Sequence, residues 1–208
     1  SIDNGRISKE ILPVTIKPKR KDDMIVSKDE HPRKTDLEKL SRLSTPFRND
    51  GSVTAGNSSG VNDGAAALII ASEDAIKKNN LKPIARIVNA ASSGVEPRIM
   101  GMGPVSATEK VLKKSNIKLN QIDTVEINEA FAAQVLACTR ELGIQDDDPR
   151  INPNGGAIAY GHPLGMSGTR LVLSASKQLE SNNLKYALCT MCVGVGQLSL
   201  IHISEPTR

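Results

Sequence analysis

The chain has 208 residues with 38% hydrophobic and 24% charged content, which is typical of a folded globular protein and not of a disordered one. The formal net charge is only +4 and the aromatic content 2%, so no nucleic-acid partner is expected. No apolar run approaches 18 residues and no charged-then-apolar leader opens the chain, which predicts neither a membrane span nor a signal peptide.

Residues 1–50 are polar and dotted with Pro, and we expect loops there with one short helix at about residues 36–42, capped by Thr35. From Thr54 the sequence becomes small, apolar and rich in Gly. The uncharged run at residues 65–71 predicts a strand buried on both faces. The first residues, beginning at Ser1, are typical of a domain interior, so we expect a fragment of a longer protein.

Beyond residue 71, short apolar runs alternate with helix patterns. Ser72 is a candidate helix cap, and Gly143 is a candidate helix end. The predicted strands are Ala85–Ala91, Thr124–Ile127 and 186–191, and the predicted helices begin after Ser72 and span 104–115, 129–142 and 168–180. This alternation predicts an α/β layered fold.

Asn128 opens the sequence Asn-Glu-Ala-Phe at a predicted strand-to-helix junction. An Asn in that place is as often a helix N-cap as a functional residue. Its side-chain amide could instead orient a water or a carbonyl oxygen where negative charge develops. The residues alone leave both interpretations open.

His162 lies in a Gly-rich loop, and Pro163 stiffens the turn after it. A lone His is more often structural than catalytic. A His on a rigid loop among residues without a Cβ is nevertheless well placed to contact a ligand. The sequence alone does not decide between a structural and a catalytic role for His162.

Cys192 stands at the end of a predicted strand, before a Gly-rich turn. A nearby imidazolium or backbone dipoles would favour its thiolate, making it a base or a nucleophile, whereas the alternative is a buried, inert Cys. Cys189 and Cys192 have the spacing of a zinc or redox pair. No second ligand pair exists and the two would face opposite sides of a strand, so we expect no metal site. Three Cys do not make a disulfide framework, which indicates a reducing, cytoplasmic location.

These motifs, taken in order, resemble the thiolase family over about residues 1–197. Its three C-terminal active-site motifs are similar to Asn128-Glu-Ala-Phe, Gly161-His162-Pro163 and Cys192-x-Gly-x-Gly196. Its coenzyme A-facing segment is similar to the residues from Thr54 through Ala66. The resemblance implies a thiolase-like layered α/β fold and a Claisen-type acyl transfer on coenzyme A thioesters.

The resemblance also implies roles for four residues. His162 would be the base that activates a nucleophilic Cys, and it would help to form an oxyanion hole whose water Asn128 positions. Cys192 would exchange the proton on the α-carbon of the acetyl group. The backbone N–H of Gly194 would contribute to a second oxyanion hole.

By the same resemblance, Ser59 would meet the pantetheine arm of coenzyme A and Arg33 would lie near its nucleotide end, with Ala130 and Phe131 also at this ligand. Coenzyme A and acyl-CoA would be substrates, with no permanently bound cofactor and no metal. A homodimer or homotetramer is implied for the full-length enzyme, with neither a membrane nor a nucleic acid as partner.

The chain departs from the family pattern in two places. Nothing matches the family's Cys-x-Ser-Gly-type nucleophile motif, and Cys138 lies in the middle of a predicted helix, so we expect the fragment to be inactive alone. The tail at 198–208 looks foreign, and its alternation imitates a closing strand only poorly. The expected organisation is part of a loop domain at 1–62, a returning strand and helix of the N-terminal half at 63–82, the C-terminal domain at 83–197, and a non-native tail.

Within the family, the chain looks most like the 3-oxoadipyl-CoA thiolases of aromatic degradation. Three segments carry this likeness: the motif at Cys192, the sequence Glu141-Leu-Gly and the sequence Gly165-Met-Ser-Gly. An acetoacetyl-CoA or fatty-acid thiolase of β-oxidation is the near alternative. Two further hypotheses are a non-catalytic coenzyme A or lipid carrier module and a phosphate-binding regulatory domain built on the Gly-rich loop.

Overall fold

The computed structural model of the chain describes residues 2–194 and 198–206, the latter as backbone only. Several residues lie outside the described ones: Val195 and Gly196 of the predicted Cys192 motif, Gln197, and the last two tail residues. The strands are β1 (Val14–Ile16), β2 (Met24–Val26), β3 (Ala85–Ala91), β4 (Thr124–Ile127), β5 (Ala187–Val193) and β6 (Leu198–Pro206). The α-helices are α1 (Leu37–Ser41), α2 (Glu73–Asn79), α3 (Gly103–Ser115), α4 (Ala132–Glu141), α5 (Ala157–Tyr160) and α6 (Ser167–Asn182).

A four-stranded sheet in the order β3-β6-β5-β4 organises the second half of the chain. β4 and β5 are parallel, whereas β6 runs antiparallel to both β5 and β3. The tail was expected to imitate a strand poorly, yet it pairs on both sides along most of its length. Its alternating apolar residues and the two open edges on either side of it account for this pairing.

Helices cover both faces of this sheet, which confirms the expected layered α/β fold. On one face the core residues Val125, Ile127 and Leu188 pack with side chains of α3 and α4. On the other face Ala187 and Cys189 pack against α6. Side chains of successive strand residues point to opposite faces, so β5 contributes to both cores.

The first 84 residues are largely irregular, with a two-stranded hairpin of β1 and β2 and the short helices α1 and α2. The predicted buried strand at residues 65–71 is wrong: this segment has no regular structure, and Ile69 and Ile70 are 93% and 76% exposed. A strand needs a neighbour for its backbone hydrogen bonds, and none of the described strands runs beside it.

The capping residues at the helix ends can be compared with those predicted from the sequence. Ser72 caps α2 as expected, its Oγ accepting a hydrogen bond from the Ala75 N–H at 3.2 Å. The cap of α1 is Asp36 and not Thr35, since its carboxylate accepts from the Lys39 N–H at 2.8 Å. Gly143 follows the end of α4 with a left-handed φ of +75°, as a C-terminal Gly should.

The three other predicted strands and the long helices lie where they were expected. Most of their ends differ from the predicted ends by no more than two residues. The clear exception is the start of α4, which begins at Ala132 rather than at Glu129. Within the described residues, none of the helices is both long and apolar enough to cross a bilayer.

Candidate active site

The candidate site lies at the carboxyl edge of the parallel pair β4 and β5, where ligands of α/β sheets usually bind. Asn128 directly follows β4, and its N–H donates to the Thr190 carbonyl of β5 at 2.9 Å. Cys192 stands two residues further along β5. His162 is brought to the same edge by the loop that follows α5.

Asn128 is fully buried and contacts His162 directly, with its Nδ2 3.3 Å from the imidazole Nε2. It does not cap a helix, because α4 begins four residues later, which removes the structural alternative left open by the sequence. The amide Oδ1 accepts no hydrogen bond from the described residues. Burying an unpaired polar atom is costly, so this oxygen has the character of a ligand-facing group.

The tautomer of His162 follows from its hydrogen bonds. Ser167 Oγ donates to the Pro163 carbonyl at 3.0 Å, so it accepts from Nδ1–H of His162 at 2.5 Å. Nδ1 therefore carries the proton and Nε2 carries the lone pair, which agrees with the Asn128 N–H that points at it. Burial lowers the pKa of His162, and the charge of Arg170 lowers it further, so the ring is neutral at pH 7 and can act as a base.

A buried Glu–Arg pair lies behind this imidazole. Glu126 is completely buried in β4, and Arg170 Nη1 of α6 approaches its Oε2 at 3.7 Å. Burial raises the pKa of Glu126 to about 8, although Arg170 opposes that shift. The carboxyl thus holds a proton at neutral pH, and the Arg170 charge acts on His162 without full compensation.

The Cys192 thiol is partly buried, and this burial raises its pKa. The direction is opposite to the thiolate that sequence reasoning invoked, because loss of solvation outweighs the favourable backbone dipole. In the resting protein Cys192 therefore carries a proton that it can donate. Among the described residues, no hydrogen bond joins it to His162 or Asn128.

Cys138, in contrast, is an inert core residue. Its side chain is inaccessible, its thiol donates to the Gly101 carbonyl at 3.1 Å, and burial raises its pKa to about 11. No cluster of three or more metal-ligating side chains occurs in the described part of the chain.

The predicted coenzyme A-facing segment packs directly on the Asn128 motif. Ser59 donates to the Ala130 carbonyl from its N–H at 3.1 Å and from its Oγ at 3.4 Å. Ser58 pairs with Phe131 as an isolated antiparallel bridge. Phe47 meets Phe131 edge to face, with the ring centroids 6.1 Å apart. The structure thus brings Ser59, Ala130 and Phe131 together beside Asn128.

Two predicted site residues, Arg33 and Gly194, make no described side-chain contact with the residues beside Asn128. Arg33 is exposed, and Gly194 is exposed at the end of the first described stretch. A Cβ added at Gly194 would meet nothing within 4 Å, so the described packing does not itself demand glycine there.

Sequence reasoning missed several residues that order the site. Glu129 accepts from Asn152 Nδ2 at 2.7 Å and from the Ile158 N–H at 3.0 Å, and it occupies the space that a side chain at Gly156 would need. Asn152 has a left-handed φ of +42°. In the sequence, the acidic Glu126 within an apolar strand could have indicated a buried ionisable group.

Comparison with known proteins adds the following similarities. The family model described as "Thiolase, C-terminal domain" matches residues 81–205, and "Thiolase, N-terminal domain" matches residues 1–74. The Beta-ketoadipyl-CoA thiolase of Acinetobacter baylyi is 56% identical over 194 residues, which are 93% of this chain and 48% of the relative. The 3-oxoadipyl-CoA/3-oxo-5,6-dehydrosuberyl-CoA thiolase of Escherichia coli is 57% identical over 93% of this chain and 49% of its own.

Solved structures agree closely. The Bacillus anthracis acetyl-CoA acetyltransferase superposes with a TM-score of 0.94 at 44% identity, covering 99% of this chain and 52% of the other. The human mitochondrial 3-ketoacyl-CoA thiolase in complex with CoA gives 0.90 at 47% identity, covering 99% and 50%. The chain therefore spans about half the length of the curated relatives and structures that it matches.

Proposed function

The chain belongs to the thiolase family, and from that premise we propose that it is part of an acyl-CoA C-acyltransferase. The enzyme cleaves a 3-oxoacyl-CoA with coenzyme A to acetyl-CoA and a shortened acyl-CoA, or runs the reverse Claisen condensation. The observation that carries this proposal is the Asn128–His162 contact, in which the imidazole is held neutral with its Nε2 lone pair toward the site.

The proposed mechanism begins at that lone pair. His162 Nε2 accepts the proton of a nucleophilic Cys thiol, whose thiolate attacks the 3-oxo carbon. This Cys is not among the three of this chain that we have placed, and we assign it to the part of the enzyme that the chain does not contain. Asn128, through a water, and His162 stabilise the oxyanion that forms.

Collapse of the oxyanion breaks the bond between the 3-oxo carbon and the α-carbon. The acyl group stays on the nucleophile as a thioester, and the electron pair leaves on the enolate of acetyl-CoA. Cys192 donates its proton to that α-carbon, a task that suits the raised pKa of its thiol. The Gly194 N–H supports the enolate oxygen, and coenzyme A then takes the acyl group from the nucleophile.

We assign coenzyme A contacts to Ser59, Ala130 and Phe131, which lie together against the Asn128 motif, and to Arg33, which is exposed for a charged nucleotide end. The favoured substrate is 3-oxoadipyl-CoA, because the two named relatives at 56% and 57% identity act on compounds of that name. We keep the domain organisation of 1–62, 63–82 and 83–197, a cytoplasmic location, and a homodimer or homotetramer as parts of this proposal.

Two variants of the full-length enzyme test the assigned roles. His162→Ala removes the base and should abolish acyl-enzyme formation, lowering it by about 100-fold or more. Cys192→Ser should still form the acyl-enzyme but fail in condensation, because a hydroxyl is a far weaker acid than a thiol and its deprotonated form is not populated near neutral pH. Mass spectrometry of the intact enzyme after mixing with acyl-CoA separates the two steps. Normal acylation by His162→Ala would show that the proposed function is wrong.

A second candidate, a non-catalytic coenzyme A or lipid-binding module, is favoured by the lack of a nucleophile motif in this chain. It does not explain why a neutral imidazole and a proton-bearing thiol stand at one sheet edge. The upstream coding sequence separates the two, since a Cys-x-Ser-Gly-type motif there supports the enzyme.

A further inference from the structure

A second histidine stands behind the backbone of His162. The N–H of His162 donates to two acceptors, the Gly60 carbonyl at 3.0 Å and Asn62 Oδ1 at 3.2 Å. Both belong to the segment 60–62, so the position of that segment sets the position of the catalytic loop. His31 lies against both of these residues.

The His31 ring is bound at both of its nitrogens. Its Nε2 is 3.1 Å from the Ile158 carbonyl, which can only accept, so Nε2–H donates there. The remaining nitrogen, Nδ1, then carries the lone pair and accepts from Asn62 Nδ2 at 3.4 Å. His31 thus joins α5, which leads into His162, to the segment that holds the His162 N–H.

This arrangement fixes the orientation of the Asn62 amide. With Nδ2 donating to His31, Oδ1 is turned toward His162, as its hydrogen bond requires. Close packing leaves little room for another orientation of the Asn62 amide. The Asn62 amide fills the space that a Cβ at Gly161 would occupy, and a Cβ at Gly60 would lie 2.5 Å from His31 Cε1. Gly161 also has a φ of +96°, which side chains rarely adopt.

We propose that His31 is a positioning residue for His162, acting through Asn62 and Gly60 to hold the loop that places the imidazole against Asn128. The inference rests on the proposed function, because it assigns His31 a part in the same reaction. His31 touches no substrate in this scheme. Its contribution is to keep His162 Nε2 in the geometry of proton transfer, where small displacements reduce rates strongly.

The test compares two substitutions at His31 in the full-length enzyme. His31→Gln keeps one donor and one acceptor, whereas His31→Phe keeps a flat ring and loses both. His31→Phe should lower kcat for acyl-enzyme formation by about tenfold or more, with KM within about twofold. His31→Gln should remain within about threefold of the unaltered enzyme. If His31→Phe and His31→Gln behave alike, the proposal is overturned.

Asn62 supplies a second and independent arm. Asn62→Leu should reproduce the kcat loss of His31→Phe, because it removes both the acceptor of the His162 N–H and the donor to His31. The double variant His31→Phe/Asn62→Leu should be no slower than the slower single variant, since both act through one network. Fully additive losses would contradict the proposal, and Asn62→Leu carries the test if His31→Phe does not fold.

Two controls separate this inference from the proposed function. Asn79→Leu alters an exposed Asn of α2 and should leave kcat unchanged. His162→Ala reports on the function itself. If His162→Ala acylates normally, the proposed function fails. If it does not acylate while His31→Phe and Asn62→Leu match the unaltered enzyme, only the role of His31 fails.

Discussion

At the scale of single residues, the imidazole of His162 is controlled from three directions. Ser167 holds its Nδ1–H, Asn128 faces its Nε2, and Arg170 places a positive charge nearby. The Ser167 contact fixes the tautomer with the lone pair on Nε2, whereas the Asn128 N–H and the Arg170 charge favour the neutral ring. A general base must be unprotonated at the working pH, so these contacts suit the role that we propose for His162.

The charge of Arg170 leads to a pH prediction. Burial is the larger cause of the lowered pKa of His162, and Arg170 is the second. Arg170→Met removes that charge, so the pKa of His162 should rise toward its ordinary value. Because the neutral ring is the active form, the acid limb of kcat/KM for acylation should move to higher pH.

The matched control is Arg140→Met, which removes an exposed Arg that pairs with Asp146 on the surface. It should leave the acid limb in place. Loss of Arg170 should not leave a buried anion, because burial already keeps the Glu126 carboxyl protonated with a pKa of about 8. A pH profile of Arg170→Met that is displaced to lower pH would refute the assigned direction.

Residue identities could be predicted from sequence where a motif surrounded them with small residues. The sequence singled out Asn128, His162 and Cys192 as candidates in this way, and the structure places Asn128 against His162. Their supports were not, because Ser167, Asn62 and His31 are ordinary polar residues whose partners lie up to 127 positions away. The protonation of Cys192 was also beyond sequence, since burial and not a neighbouring charge determines it.

At the scale of secondary-structure elements, the loop from Asn152 to His162 decides the site geometry. Glu129 ties this loop to the end of β4 through Asn152 and the Ile158 N–H. Asn152 also bonds both backbone groups of Ile127, at 2.8 Å and 2.9 Å, and so acts as a short extension of the sheet. The loop is therefore fixed at its start, Asn152, and again at Ile158.

Gly156 is one of the positions where this loop leaves no room for a side chain. Gly156→Ala would place a Cβ inside the Glu129 carboxylate, forcing apart the bonds to Asn152 and Ile158. We expect a loss of about 1–3 kcal/mol in the free energy of unfolding of the full-length enzyme, and a lower kcat. Gly165→Ala, three residues beyond this loop, is the control, since a Cβ there meets nothing within 4 Å. Equal unfolding midpoints of the two variants in urea would contradict this expectation.

Elements with strong local patterns were predicted well. Ser72 and Gly143 marked helix ends by their own chemistry, and β3 and β4 were bounded correctly. The start of α4 was misplaced because Asn128 has the composition of a cap while its backbone continues the strand, with its N–H on Thr190. Segment 65–71 has strand composition, yet composition cannot supply the neighbour that a strand needs.

At the scale of the whole molecule, the two halves of the chain differ in how much they bury. The sheet from β3 to β6 has helices on both faces, whereas segment 65–71 leaves Ile69 and Ile70 exposed next to Val61, which is 90% exposed. Large exposed apolar residues in one segment are unusual for a complete soluble domain. The matched relatives are about twice as long, and we expect their other half to cover this segment.

The last prediction concerns the chain alone. It contains the proposed base, His162, and the proposed proton donor, Cys192, but no Cys in the family's nucleophile motif. Without that thiolate no acyl-enzyme can form, so the isolated 208-residue chain should show no thiolysis of 3-oxoadipyl-CoA above the uncatalysed rate. The full-length enzyme should release acetyl-CoA under the same conditions, followed by chromatography of the thioesters. The full-length His162→Ala variant is the negative control, and turnover by the isolated chain at the full-length rate would mean that the nucleophile lies within these residues after all.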